Sequence, residues 1–139
     1  MPKPNPVVHF EMPAEDKKRM SEFYTKVFGW QTKQLGPEMG DYMVVMTSDS
    51  DPNDPTGRPK TPGTINGGFY QRKDASQAPL VVISVDDINE SMKKIEEAGG
   101  KVIGGMTPGK PDDIPGVGLY AAFSDTEGNR ICILQPKKM

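Results

Sequence analysis

The stretch VVHFEMP, residues 7–13, holds the single histidine of a 139-residue chain. Read as a strand it alternates: Val8, Phe10 and Met12 take one face, and Val7, His9 and Glu11 the other. An imidazole beside a carboxylate can ligate a metal, move a proton or hydrogen-bond a bound molecule. Side chains two residues apart stand about 7 Å from each other along a strand, which makes His9 and Glu11 awkward partners for one ion. The other reactive group is the thiol of Cys132, the only cysteine, so an intramolecular disulfide is excluded. As a nucleophile it would need a base or a cation nearby, a part His9 could play if both faced one cavity. A thiol simply packed within a sheet is the alternative. In SDSDPNDPTGRPKTPG, residues 48–63, Asp49, Asp51 and Asn53 fit the first three ligand positions of a calcium loop. Asp54 stands where that loop needs glycine and Lys60 where it needs a bidentate glutamate, and no helices flank it. The segment reads instead as an exposed, mobile polar loop, a candidate lid. No serine-hydrolase elbow, dinucleotide-binding glycine pattern or phosphate loop occurs.

The elements that must position these groups follow from periodicity. After the first strand, Met20, Phe23, Tyr24, Val27 and Phe28 form an apolar stripe at helical spacing, and Gly29 stops it. Phe10 and Met12 are expected to pack on the Phe23–Val27 part of that stripe. YMVVMT (42–47) and TINGGFYQ (64–71) read as strands, with Gly67-Gly68 marking a bulge or a close backbone approach. PLVVISV (79–85) begins a second set. Asp87 and Glu90 make a capping-box-like start, Ile88, Met92, Ile95 and Ala98 form the next helical stripe, and Gly99-Gly100 ends it. KVIGG is a short strand, and LYAAFS, DTEGN and RICILQ form a hairpin. In RICILQ, Ile131 and Ile133 should face the helix while Cys132 faces away. Met20 and Phe23 match Met92 and Ile95 at a spacing of 72, and YMVV matches YAAF at 78. The chain is therefore a doubled βαβββ plan, module 1 spanning about 6–73 and module 2 about 78–136 of one domain, residues 1–139.

Composition narrows the function classes. Seventeen basic and 19 acidic residues leave a net charge of −2, no footprint for nucleic acid. No run approaches the roughly 20 apolar residues of a membrane span, and MPKPNP lacks the apolar core of a signal peptide. A cytoplasmic location is expected. Nine methionines sit largely at core positions.

Four stretches, VVHFEMPAEDKKRMSEFYTKVFGW, GGFYQR, SVDDINESMKKIEEAGGKV and PGVGLYAAFSDTEGNRICILQ, together resemble the vicinal oxygen chelate superfamily. That group includes glyoxalase I, bleomycin-resistance proteins, extradiol dioxygenases and fosfomycin-resistance enzymes. The resemblance implies an α+β fold in which two βαβββ modules form a cupped, mostly antiparallel sheet with helices on the outer face. It also implies a homodimer. Metal-using members take ligands from four strands. Carried over, these positions fall on His9, near Asn66, near Leu80 and on Cys132. One ligand is kept, and the others become an amide, a hydrocarbon and a thiol. A catalytic zinc needs about three good protein ligands, so no metal or other cofactor is expected and His9 is the only retained candidate ligand. Glyoxalase I has an arginine for the glutathione carboxylate at the position of Pro13, which speaks against a glutathione substrate. The expectation is a small-molecule-binding protein of the glyoxalase/bleomycin-resistance type, its site lined by His9, Glu11, Asn66, Leu80, Tyr120 and Cys132, with His9 hydrogen-bonded to the occupant or to Glu11. The alternative is a divalent-metal-dependent lyase, isomerase or dioxygenase with an atypical ligand set.

Overall fold

The computed structural model describes residues 3–49, 53 and 59–137. Its contacts divide the chain into two units: His9–Pro79, and Leu80–Met139 together with the N-terminal residues through Val8. The described residues form nine strands and two α-helices, an α+β fold. The first unit runs β1 (Val7–Ala14, of which Val7 and Val8 group with the second unit), α1 (Lys17–Phe28), β2 (Gln31–Gln34), β3 (Met43–Met46) and β4 (Asn66–Gln71). Its strand order is β2-β3-β4-β1, antiparallel except for the parallel pair β4–β1. The second unit runs β5 (Leu80–Ser84), α2 (Ile88–Glu97), β6 (Lys101–Gly104), β7 (Asp112–Ile114), β8 (Gly118–Ser124) and β9 (Arg130–Pro136). It repeats the order as β6-β8-β9-β5, again with one parallel pair, and adds β7 on β8. Two βαβββ modules are thus present. Two strands escaped the sequence reading: the polar QTKQ of β2 and the three-residue β7.

Register makes the repeat exact at the level of residues. Gly68 stands beside Glu11 and Val44 in the first unit, as Cys132 stands beside Val82 and Ala122 in the second. His9 therefore corresponds to Leu80, Glu11 to Val82, Gly68 to Cys132 and Tyr42 to Tyr120. The last correspondence carries the spacing of 78 seen between YMVV and YAAF.

Both helices are fixed by their caps. Asp16 Oδ1 accepts a hydrogen bond from Arg19 N at 3.0 Å, and Asp87 Oδ1 from Glu90 N at 3.1 Å. Each satisfies a donor that the first turn leaves without an intrahelical partner. Gly29 closes α1 at φ 73°, a left-handed conformation in which a side chain is costly. In the first unit Ala14, Met43, Val45 and Phe69 are buried, with Phe10, Met12, Met20, Tyr24 and Trp30 packed around them. Here the helix is rotated from the expected face. Phe10 and Met12 meet the Met20–Tyr24 side of α1, while Phe23 and Val27 stay 56% and 54% exposed. Trp30 sets this rotation, since its ring stacks on Tyr24 (centroids 4.6 Å apart, planes at 10°) and packs on Phe10 at 5.7 Å. Burying that aromatic cluster outweighs burying Phe23 and Val27, because rings carry most of the area a small core removes from water. Gly67 permits the close approach of β4 to β1: a Cβ there would lie 2.5 Å from the Phe10 carbonyl oxygen. The register shows no bulge at this point.

In the second unit Val85, Ile88, Ala121 and Ile133 are buried under α2, with Ile83, Met92, Ile95, Leu119 and Phe123 around them. Ile133 therefore faces the helix and Cys132 the opposite side, as the alternation in RICILQ requires. The hairpin turn is held by Asp125, whose Oδ1 accepts from Glu127 N at 2.8 Å and Asn129 N at 2.9 Å.

Candidate functional site

The helix-free face of the first unit is set by pairing. His9 lies beside Asn66, and Glu11 beside Gly68 and Val44. Paired residues project to one side of a sheet, so His9, Glu11, Asn66 and Val44 share this face, opposite the core residues Phe10, Phe69 and Val45. A turn carries Tyr42 onto the same face. Gly40 and Asp41 both adopt positive φ, 66° and 56°, just before β3. An aspartate tolerates this conformation better than most residues. Asp41 is held there through its carbonyl oxygen, which accepts from Gln34 Nε2 at 2.6 Å and from Lys17 Nζ.

Tyr42 Oη lies 2.8 Å from His9 Nε2. The phenol end of Tyr42 also lies across Gly68, in the space where a side chain at that position would begin. The His9 and Tyr42 rings are 6.4 Å apart by centroid, with planes inclined at 25°. Burial of the imidazole lowers its pKa from 6.5 to about 4, because desolvation penalises the charged form. At neutral pH His9 is thus a neutral ring tied to a phenol, with one donor and one acceptor nitrogen.

Asn66 is committed to its own backbone surroundings. Its Oδ1 accepts from Thr47 N at 2.9 Å and Ser48 N at 3.3 Å, fastening the end of β3. Thr47 Oγ1 donates to Ile65 O at 2.5 Å beside it.

In the second unit Leu80, Val82, Ala122 and Cys132 are buried together, with Ile103, Tyr120 and Leu134 against them. The three residues expected there as site lining, Leu80, Tyr120 and Cys132, thus share one apolar cluster on the face away from α2. Cys132 is 2% exposed. Of the calcium-loop residues, Asp51 and Asp54 lie outside the described residues, as does half of the proposed lid. Asp49 O accepts from Lys60 N at 2.6 Å.

These residues do not fit a divalent metal. His9 Nε2 is engaged by Tyr42, and Asn66 Oδ1 by two backbone amides. The internal repeat makes Gly68, rather than Asn66, the counterpart of Cys132. Gly68 has no donor, and Tyr42 fills the space above it. Leu80 has none either. Among the described residues no group of three His, Cys, Asp or Glu gathers as a metal site would. A surface hollow of about 600 Å³ lies elsewhere, at the start of α1, lined by Pro13, Ala14, Arg19, Met20, Phe23 and Arg72 among others.

Tyr42 was not singled out from sequence, and Gly68 only as part of the Gly67-Gly68 pair. A signal was present: Tyr42 matches Tyr120 in the YMVV–YAAF repeat, and burial of Met43 and Val45 on the core side would place Tyr42 and Val44 opposite them.

Residues 7–133 match the family model described as Glyoxalase/Bleomycin resistance protein/Dioxygenase superfamily. Among curated proteins, the anthracycline biosynthesis protein DnrV of Streptomyces peucetius is 30% identical over 128 residues, which cover 86% of this chain and 42% of that protein. The chain thus spans well under half the length of this relative. Among solved structures, a hypothetical protein of Bacillus halodurans superposes with a TM-score of 0.65 at 13% identity, covering 99% of this chain and 98% of that one. Methylmalonyl-CoA epimerase of Mycobacterium tuberculosis superposes with a TM-score of 0.63 at 11% identity, covering 95% and 88%. At these identities the structures speak for the fold. No helix among the described residues is long and apolar enough to cross a membrane.

Proposed function

Because the chain belongs to the Glyoxalase/Bleomycin resistance protein/Dioxygenase superfamily, we propose that it binds a small organic molecule on the helix-free face of its first unit, without a metal ion, using His9, Tyr42 and Glu11. The observation that carries this reading is the His9–Tyr42 pair at 2.8 Å. An imidazole whose Nε2 is already held by a phenol, with no group of three metal-binding side chains gathered among the described residues, is better placed to hydrogen-bond a small molecule than to hold a cation. The surrounding mixture of apolar groups and a few placed polar ones suits a small-molecule site. The name of the Streptomyces peucetius relative, which places that protein in anthracycline biosynthesis, supports a small organic metabolite as the ligand. The working assembly is a homodimer, for which the exposed apolar side chains Phe23, Val27 and Phe28 on α1 give a reason.

The test is metal analysis of protein purified without chelator, paired with a thermal-shift screen of metabolites. The expected result is no stoichiometric divalent metal, a melting temperature indifferent to EDTA, and ligands whose stabilisation is lost in His9→Ala. Stoichiometric metal that disappears in His9→Ala would replace this reading with a metal-dependent lyase, isomerase or dioxygenase.

A further inference from the structure

The hollow at the start of α1 gathers groups that the sheet face does not use. Its volume of about 600 Å³ falls in the range that holds a small organic molecule. Met20 and Phe23, three residues apart on one side of α1, give it apolar surface. Arg19 and Arg72 give it two guanidinium groups. Arg72 is held at both ends. Its backbone N donates to Ala14 O at 2.9 Å, which carries the β4–β1 pairing one residue past β4. Its Nη1 donates to Gln77 O at 2.5 Å. Gln77 is itself fixed, since its Oε1 accepts from Lys73 N at 2.7 Å and Asp74 N at 3.2 Å. Among the described residues no other hydrogen bond engages the Arg72 guanidinium, and none engages that of Arg19. Two carboxylates, Glu15 and Asp16, also line the hollow. Asp16 Oδ1 caps α1 through Arg19 N at 3.0 Å, and among the described residues neither carboxylate forms an ion pair with either arginine.

We propose that this hollow is a second binding site, separate from the sheet face, that takes an aromatic carboxylate. A guanidinium offers N–H groups in a planar fork that matches a carboxylate, and one already tethered loses less freedom on binding. Arg72 is that fixed fork, and Arg19 supplies further donors. Met20 and the exposed ring of Phe23 receive the apolar body of the ligand. Glu15 and Asp16 balance the two arginines, so the lining as a whole carries no net charge. The carboxylate is therefore recognised by directed hydrogen bonds rather than by a general positive field. Neither His9 nor Tyr42 takes part, and the site stands whether or not the sheet face binds a ligand.

The probes are 2-naphthoate and 2-naphthalenemethanol, which share a ring system and differ in the carboxylate. Titration calorimetry on the full chain should show saturable binding of 2-naphthoate and at least about tenfold weaker binding of the alcohol. Arg72→Lys keeps the charge without the fork and should weaken 2-naphthoate by about tenfold. Arg19→Gln, at an exposed position that folding does not depend on, should weaken it as well, and circular dichroism checks both variants. Lys18→Gln removes a charge from the same turn outside the hollow and should leave the affinity unchanged, as should His9→Ala. Equal affinity for the two probes, or 2-naphthoate binding that survives both arginine variants, overturns the site. A loss in Lys18→Gln as large as that in Arg19→Gln overturns it by showing attraction to charge alone. No binding of 2-naphthoate, as when a partner copy covers the hollow, also overturns it. Binding lost in His9→Ala but kept in the arginine variants moves the carboxylate to the sheet face, which overturns the hollow and leaves the reading of that face standing.

Discussion

His9 Nε2 stands 2.8 Å from Tyr42 Oη although 33 residues separate the two in the chain. The contact and the burial of the ring make His9 the residue whose protonation couples most directly to folding. Its pKa falls from 6.5 to about 4 through desolvation. As pH falls through this window the unfolded chain takes up a proton that the folded chain refuses. The native state therefore keeps its full stability above pH 6.5 and loses it progressively down to about pH 4, on the order of 3 kcal/mol in total. Denaturant unfolding should show this loss between pH 7 and pH 5 in the wild type and not in His9→Gln. Asp125, held low mainly by Asn129, and Asp74, held low mainly by Ser76, titrate below the ordinary carboxylate range and do not mask the effect. Because the chain has one histidine, a single imidazole proton resonance reads the folded pKa directly. A value at or above 6.5 would contradict the desolvated ring.

The rotation of α1 makes a sharp contrast between two phenylalanines. Phe69 has no exposure and packs on Tyr24, while Phe23 is 56% exposed. Phe69→Ala should destabilise by about 3–5 kcal/mol, the usual cost of emptying an aromatic site in a core. Phe23→Ala should cost under about 1 kcal/mol when both variants are compared as monomers, at concentrations below dimer dissociation. Chemical denaturation of the two variants compares them directly, and equal costs would return Phe23 to the core face that its sequence spacing suggested.

Cys132 lies 2% exposed among Leu80, Val82 and Ala122. Cys132→Ser places a hydroxyl in that apolar cluster and should cost about 1–3 kcal/mol. Cys132→Val, which keeps the site apolar, should cost less. A thiol reagent should label the native protein far more slowly than the unfolded one. Fast labelling of the native protein would point to a nucleophilic thiol instead.

At the start of α2, Asp87 Oδ1 accepts from Glu90 N at 3.1 Å. Asp87→Ala should lower stability by about 1 kcal/mol, and Asp87→Asn, which keeps the acceptor, by less. Thermal unfolding of both variants measures the difference.

The features legible in the sequence are those set by neighbours along the chain. Asp87 announces its helix from the position just before it, Gly29 ends one, and DTEGN closes a hairpin. The alternation of Ile131, Cys132 and Ile133 gives their faces directly. The polar edge strand β2 hides because Gln31, Lys33 and Gln34 are exposed and Thr32 alone turns partly inward, bonded to Ser21 of α1 at 2.5 Å. The direction of α1 was illegible for a different reason. Its stripe is wide enough to bury either Phe23 or Tyr24, and the choice falls to Trp30, outside the helix. The site shows the same division. His9 was visible as an unusual residue on a strand, whereas Tyr42 acquires its role only when β3 and β4 bring it across Gly68. The amide of Asn66 likewise turns to backbone groups that no local pattern reveals.

The matching registers of the two units carry a genetic consequence. His9 answers to Leu80, Glu11 to Val82 and Gly68 to Cys132. In the codon table histidine and leucine, glutamate and valine, and glycine and cysteine are each separated by a single nucleotide. A duplicated ancestral segment could therefore have acquired one polar and one oily surface through as few as three point changes, while both copies kept the same scaffold.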